Sequence, residues 1–338
     1  MVLNFPGNNI LSQVGFRSLC LITLLVVDTT VHADEPLYVK NISPIAGLFG
    51  IPSQRNAASL EQGTFSVAGQ LGLANHYVAD SNAGEALNLD GETFRAGLEL
   101  RYGLFENWDI QLDVPWIDHS EGQLDSLIEN WHDFWGMPDG GRPDVDRDQL
   151  DYRYVAQGAN FDLRDDASGA GDITLAVNYS FYSDESSAAS LALGYKFGSA
   201  DEEDFLGSGG DDIFLALRFS GEHLADLPLT WHGHLGYTHA GKANFLGARQ
   251  ERDLWFAGLA LDWQVADKLS LLAQVDAHAA PLDSELTALG DEAILLTLGA
   301  RWRFSPQWSI DLNFVEDVRV ETAPDITFQA TIRYYGNR

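Results

Sequence analysis

His232 and His234 stand two apart in this 338-residue chain, and so do Asp276 and His278. On an extended strand that spacing puts both side chains of a pair on one face. Imidazole nitrogens beside a carboxylate oxygen make a donor set for a transition metal. His232, His234 and His278, with Asp276, are therefore the candidate metal ligands; the plainer reading is polar filler on a wet strand face. A second donor cluster is acidic. Asp144-Val145-Asp146-Arg147-Asp148 alternates carboxylates as a calcium loop does, but lacks that loop's glycine and terminal glutamate. Loop-bound Ca²⁺ is the one cofactor it suggests, against the plainer role of solvated acids bridged to lipopolysaccharide by divalent ions. Covalent hydrolysis of lipid needs a nucleophile with a base in reach. His119, His239 and His278 have no evident partner for that, so the chain is not read as an enzyme.

The more numerous chemical groups are charges set between apolar neighbours. Arg95, Glu99 and Arg101 form one such row, followed by Asp109 and Asp113 in the next segment. Asp172, Lys196, Arg218, Asp262 and Asp276 continue the pattern, and Arg301, Arg303, Asp311 and Arg333 complete it. Both signs occur in similar numbers, and all are read as lining the inside of one structure. Two outcomes follow. The rows interlock through pairs such as Arg95/Glu99 and Arg301/Asp311 and seal the interior, or opposed ladders line a narrow path that selects a polar solute.

Strands must position these residues, because the alternation has period two. In Lys268–His278 every odd position is apolar, and the even ones are polar apart from Leu272. The pattern predicts twelve strands, at 64–78, 92–105, 107–118, 171–182, 188–199, 212–221, 228–239, 251–265, 268–279, 291–304, 307–317 and 325–335. Trp255 and Trp263 bracket Ala257, Leu259 and Leu261 on one face. Eight residues at about 3.3 Å each, tilted by about 40°, cover roughly 20 Å, near the apolar band of an outer-membrane barrel. The lipid face is read as Trp108, Ile110, Leu112, Val114 and Trp116, with Phe94 to Tyr102 and Ile326 to Tyr334 at alternate positions. Connections run long (79–91, 119–170, 200–211, 240–250, 280–290, 318–324) and short by turns. An all-β, up-and-down transmembrane barrel of about 12 strands, with both termini periplasmic and long outer loops, predicts that rhythm. A large soluble sandwich explains the alternation but not the paired aromatic girdles.

Composition agrees. Asp and Glu total 50 against 20 Lys and Arg, a formal net charge of −30, which argues against nucleic-acid partners. The apolar run Leu19–Val27, with Arg17 before it and Val31-His32-Ala33 after it, reads as a secretory signal over 1–33. It holds the single cysteine, Cys20, so the exported chain would carry no thiol and no Cys-based site. Residues 34–63 are interrupted by Gly and Pro; they form a periplasmic arm or a plug folded into the lumen of a 64–338 barrel. Within 119–170, apolar residues at 124, 127, 128, 131, 134 and 135 have helical spacing, for a helix capping the rim or a lid over the mouth.

Several stretches resemble the family catalogued as domain of unknown function 3187, found in Gram-negative bacteria. They are Asn41 to Pro52, Asp90-Gly91-Glu92-Thr93-Phe94-Arg95, Ser168-Gly169-Ala170-Gly171-Asp172, Ser208-Gly209-Gly210-Asp211-Asp212, Gln274 to His278, and Glu316-Asp317 with Pro324-Asp325. The resemblance implies an outer-membrane protein and supplies no reaction. Tyr334 or Tyr335, short of the end of the chain, would serve as the aromatic signal read by the barrel-assembly machinery. Expected partners are outer-membrane lipid, lipopolysaccharide and a small solute. The expected function is a narrow substrate-selective channel, or else a sealed barrel acting at the surface.

Overall fold

The computed structural model describes residues 34–336 apart from 123–147, 225–226, 320 and 325. The expected leader, the helical spacing at 124–135 and the calcium-like motif up to Arg147 lie outside the described residues. Among the described residues, strands β1 (Phe65–Ser81), β2 (Glu85–Phe105), β3 (Trp108–Ser120), β4 (Asp151–Ala156), β5 (Ala159–Leu163), β6 (Ala167–Ala170), β7 (Thr174–Ser183) and β8 (Ser187–Lys196) make up the first half. The second half holds β9 (Asp212–Gly221), β10 (Leu229–His239), β11 (Asp253–Ala266), β12 (Leu269–His278), β13 (Ala293–Arg303), β14 (Trp308–Asp317) and β15 (Ile326–Gly336).

All fifteen belong to one antiparallel sheet. Twelve close into a transmembrane barrel in chain order, with β4, β5 and β6 outside the ring. Closure comes from β1 against β15, running from Phe65 opposite Gly336 to Asn75 opposite Ile326. A closed ring satisfies every ladder hydrogen bond internally, which lipid requires. The outer rows are too exposed for a water-soluble sandwich: Leu259 is 68% and Leu312 58% exposed. An aromatic girdle surrounds the end that carries the first and last strand residues. There Trp108 stacks on Tyr179 at 4.5 Å and Trp308 meets Tyr334 at 4.8 Å. Exposed Trp116, Tyr237 and Trp255, with Tyr195 against Phe197, mark the other edge.

Three expectations are corrected. Residues 79–91 are not a long loop but the end of a hairpin. The Asn82 side chain accepts hydrogen bonds from the Gly84 and Glu85 amides at 2.8 and 2.9 Å, and the extended strands continue past the membrane band. The 119–170 connection is not bare either. The β4–β5 hairpin pairs with the outer part of β2 (Asp90 opposite Asp151), and β6 pairs with the end of β3. These strands are too short for their alternation to stand out from a loop. Ile326 was expected on the lipid face but is buried. It begins β15 opposite Asn75, which is itself buried at the rim and donates to Glu92, beyond the lipid-facing rows.

The connections at the end away from the girdle of Trp108 and Trp308 pack into an apolar cap. Tyr152, Tyr154, Phe161 and Leu163 of the hairpin meet Phe205, Leu246, Leu282, Leu286 and Leu289. Phe161 and Phe205 lie edge to face at 5.1 Å. Glu85 fastens one side: it accepts from Tyr154 Oη at 2.8 Å, Ser284 Oγ at 2.5 Å and Arg249 Nη1 at 2.7 Å. Burial raises the Glu85 pKa, but the Ser284 and Tyr154 hydrogen bonds, with Arg249, outweigh it and hold the carboxyl below the usual range. A depressed carboxylate stabilises the fold above its unfolded pKa, and that contribution is lost as pH falls through the folded value. The cap should therefore loosen under acid, read as faster proteolysis of 148–163, and Glu85→Gln should remove most of that acid dependence. Phe161→Ala should cost about 3–5 kcal/mol of cap stability, read by the same proteolysis at neutral pH while the barrel keeps its heat-modifiable migration on gels.

Candidate functional site

Gly and Pro deny residues 34–63 regular structure apart from one helical turn at Ala46–Leu48, so their backbone groups must find other partners. They find the inward side chains of the barrel. The Gly50 amide donates to Asp212 at 2.7 Å, Ala57 to Ser220 at 2.9 Å, Ser59 to Ser180 at 2.8 Å and Leu60 to Asp109 at 3.2 Å. Apolar residues are buried along the same course. Leu37 and Val39 join Leu272, Leu295 and Val315; Ile51 packs on Phe214 and Phe256; Ile45, Leu48 and Phe49 enter the cap cluster.

The wall leaves room through small inward residues such as Ala176, Ala192, Ala216 and Ala260. Two glycines set the closest approaches. A Cβ at Gly258 would lie 2.4 Å from Gln54 Nε2, and one at Gly103 would lie 2.0 Å from the Glu61 carbonyl oxygen. Three cavities beside the segment measure about 40, 30 and 50 Å³, roughly the room of one or two waters each.

Charged side chains join segment and wall in knots. Arg301 donates to Asp311 through Nε at 2.7 Å and Nη2 at 3.0 Å, and to Asp262 through Nη1 at 3.0 Å. Arg303 lies 2.5 Å from Asp34 of the segment. Arg101 pairs with Glu35 and, at 3.0 Å, with Asp109; Arg55 pairs with Glu99. Arg95 meets Asp113 at 3.0 Å, and Asp113 also accepts from Tyr38 Oη at 3.2 Å. The Tyr38 ring carries the guanidiniums of Arg55 and Arg95 at 5.2 and 5.4 Å from its centroid, a cation–π arrangement. Lys196 contacts Asp172 at 2.6 Å and Asp212 at 3.3 Å. Arg218 has only Asn178 Oδ1 at 3.4 Å as a hydrogen-bond acceptor among the described residues, and Arg333 lies beside Tyr335.

Several of these partners differ from those read in the sequence. Arg95 and Glu99 do not pair with each other, since four residues along a strand separate them by about 13 Å; each is taken by a residue from elsewhere. Asp212 is fully buried between the Gly50 and Gly241 amides. His234, Asp276 and His278 line one cavity, but the histidines take separate partners. His278 is occupied by the Ala279 carbonyl and Asn41, and His232 by Ser220 at 2.9 Å. His234 reaches only to 3.7 Å from Asp276, across Gly258, while Gln54 and Gln274 hold that carboxylate at 2.8 Å each. Among the described residues no three His, Cys, Asp or Glu side chains form a group that could hold a metal ion. Sequence reasoning missed Asp34, Glu35, Tyr38, Lys40, Gln54 and Arg55. Their signal was present: charges and amides inside a stretch otherwise apolar enough to need burial.

The chain matches the family described as "Protein of unknown function (DUF3187)" over residues 18–335, and it belongs to that family. No curated protein matches it in sequence. The COG4313 outer membrane channel from Pseudomonas putida F1 superposes with a TM-score of 0.55 at 13% identity, over 83% of this chain and 98% of that one. A NanC porin gives 0.43 at 9% identity, over 81% of this chain and 100% of that one. The first likeness is one of fold, that of a closed antiparallel outer-membrane β-barrel.

In the Arg301 knot each guanidinium nitrogen finds a carboxylate oxygen. Removing one partner of a buried ion pair leaves the others uncompensated, at roughly 3–5 kcal/mol. Arg301→Ala should lower unfolding stability in urea by that order, and adding Asp311→Ala should recover part of it. Additive losses would show that the pair is not coupled.

Proposed function

We propose that this family member is a narrow outer-membrane channel for a small polar solute, held closed by its own residues 34–60 acting as a lumen plug. The observation that carries the reading is how the interior is filled. A barrel sealed for good would interlock its own wall side chains. Here the wall interlocks only in part, through pairs such as Arg301–Asp311 and Arg95–Asp113. Small residues and glycines leave room elsewhere, and a separate tethered segment supplies further volume, hydrogen bonds and counter-charges. Its bonds to the wall include many polar contacts, which water can replace as the segment leaves. In this reading the chain is exported by its leader, both termini are periplasmic, and the apolar cap faces outward. Opening then requires the segment to withdraw from the cap, where Ile45, Leu48 and Phe49 are anchored.

The net charge of −30 and the packed cap favour the second reading, a sealed barrel that meets partners at the surface. Ion flow separates the two. Refolded mature chain in a planar bilayer should give rare, small conductance steps, and a chain lacking residues 34–60 should give frequent, larger ones. Silence from a correctly folded deletion chain would reject the channel and leave the sealed barrel.

A further inference from the structure

Four buried guanidiniums gather where residues 34–63 enter the barrel. Arg101 on β2, Arg218 on β9 and Arg333 on β15 come from the wall, and Arg55 comes from the segment; each is no more than 3% exposed. Three carboxylates, Glu35, Glu99 and Asp109, hold positions among them. Nearby Asp311 is committed to Arg301 by two hydrogen bonds.

The acceptors fall short of the donors. Arg55 Nε, Arg101 Nε, Arg218 Nε and both Nε and Nη2 of Arg333 are buried without an acceptor among the described residues. Arg218 and Arg333 have no carboxylate within 4.0 Å among those residues. Arg333 has the Tyr335 hydroxyl beside it, and Arg218 feels Arg101 and Arg55 against the more distant Asp109 and Glu35. Leaving charged donors unpaired in a buried site is costly.

The group at the centre of this cluster is Glu35. Its carboxylate accepts from Arg101 and, at 3.0 Å, from the Asn56 amide, in the field of Arg101, Arg333 and Arg55. It is the only one of the three carboxylates carried by the segment; Glu99 and Asp109 are on the wall. When the segment leaves, Glu35 and Arg55 leave with it and Glu99 and Asp109 stay on the wall. Arg101, Arg218 and Arg333 then remain around a position that has just held a carboxylate. A guanidinium presents a planar fork of donors matched to the two oxygens of such a group.

We propose that Arg101, Arg218 and Arg333 form a binding site for a small organic anion bearing a carboxylate, and that Glu35 occupies this site in the closed channel as an internal competitor. The proposal rests on the channel reading above and names the solute class it passes. Anion and Glu35 exclude one another, so binding of the solute favours withdrawal of the segment.

Isothermal titration of the refolded mature chain with sodium succinate tests the site directly, with sodium chloride and inorganic phosphate as comparison anions and gel heat-modifiability as the check on folding. Glu35→Gln should bind succinate at least about tenfold more tightly than wild type, the equivalent of one competing charge-assisted hydrogen bond. Arg218→Gln in that background should remove the gain. Failure of folded Glu35→Gln to bind succinate, or equal binding of phosphate, overturns the proposal. Should Glu35→Gln not refold, the chain lacking residues 34–60 replaces it: it should bind succinate, and adding Arg218→Gln should abolish binding. Bilayer recordings of that deletion chain keep the two ideas apart. Conductance without anion preference overturns the site and leaves the channel, whereas succinate binding by a chain that never conducts supports the site and rejects the channel.

Discussion

Charge burial inside a ring of twelve strands is the constraint on which the rest depends. Lipid forces the strands to close, because unpaired backbone groups cannot be left in the hydrocarbon layer. Closure turns one row of each strand to the lipid and the other into a lumen of fixed width. Those inner rows carry Arg95, Glu99, Arg101, Asp109, Asp113, Arg218, Arg301, Asp311 and Arg333, mostly buried. Each must be compensated within the protein, and the wall alone does not manage it. Glu99 and Arg303 are met by Arg55 and Asp34, which come from outside the ring.

That shortfall explains why the amino-terminal segment is ordered without regular structure. Its own sequence cannot make a helix or a strand, but the lumen supplies acceptors and donors at fixed heights: Asp109, Ser180, Asp212 and Ser220 receive its amides in turn. The segment is held by many small contributions, since a net hydrogen bond contributes about 1 kcal/mol. Distributed holding of that kind suits the withdrawal proposed for the segment. The apolar cap is different in character. It gathers the connections and the tip of the segment into one packed cluster, whose stability comes from burial of Tyr152, Phe161, Phe205 and their neighbours.

Period-two alternation made the barrel readable before any coordinates. Twelve strands stand close to where the pattern puts them, because lipid on one side and a wet lumen on the other impose opposite demands on adjacent residues. The reading failed where those demands cease. β2 begins at Glu85 rather than at 92, and β4 and β5 emerge from what looked like a loop. Beyond the membrane a strand may pair with either neighbour and bury either face, so alternation there carries no direction.

Within the membrane band the period-two pattern of the sequence separates an inner row of side chains from an outer one, through a local rule: side chains two apart share a face. It could not decide who meets whom. Arg95 finds Asp113 and not Glu99, His278 finds Asn41 and not His234, and Glu35 comes to rest among arginines from β2 and β15. Those partnerships depend on strand register, on the curvature of a closed ring and on the path of a segment that has no periodicity to read. Only the tertiary structure sets these, because the distances across a lumen are fixed by closure rather than by spacing along the chain.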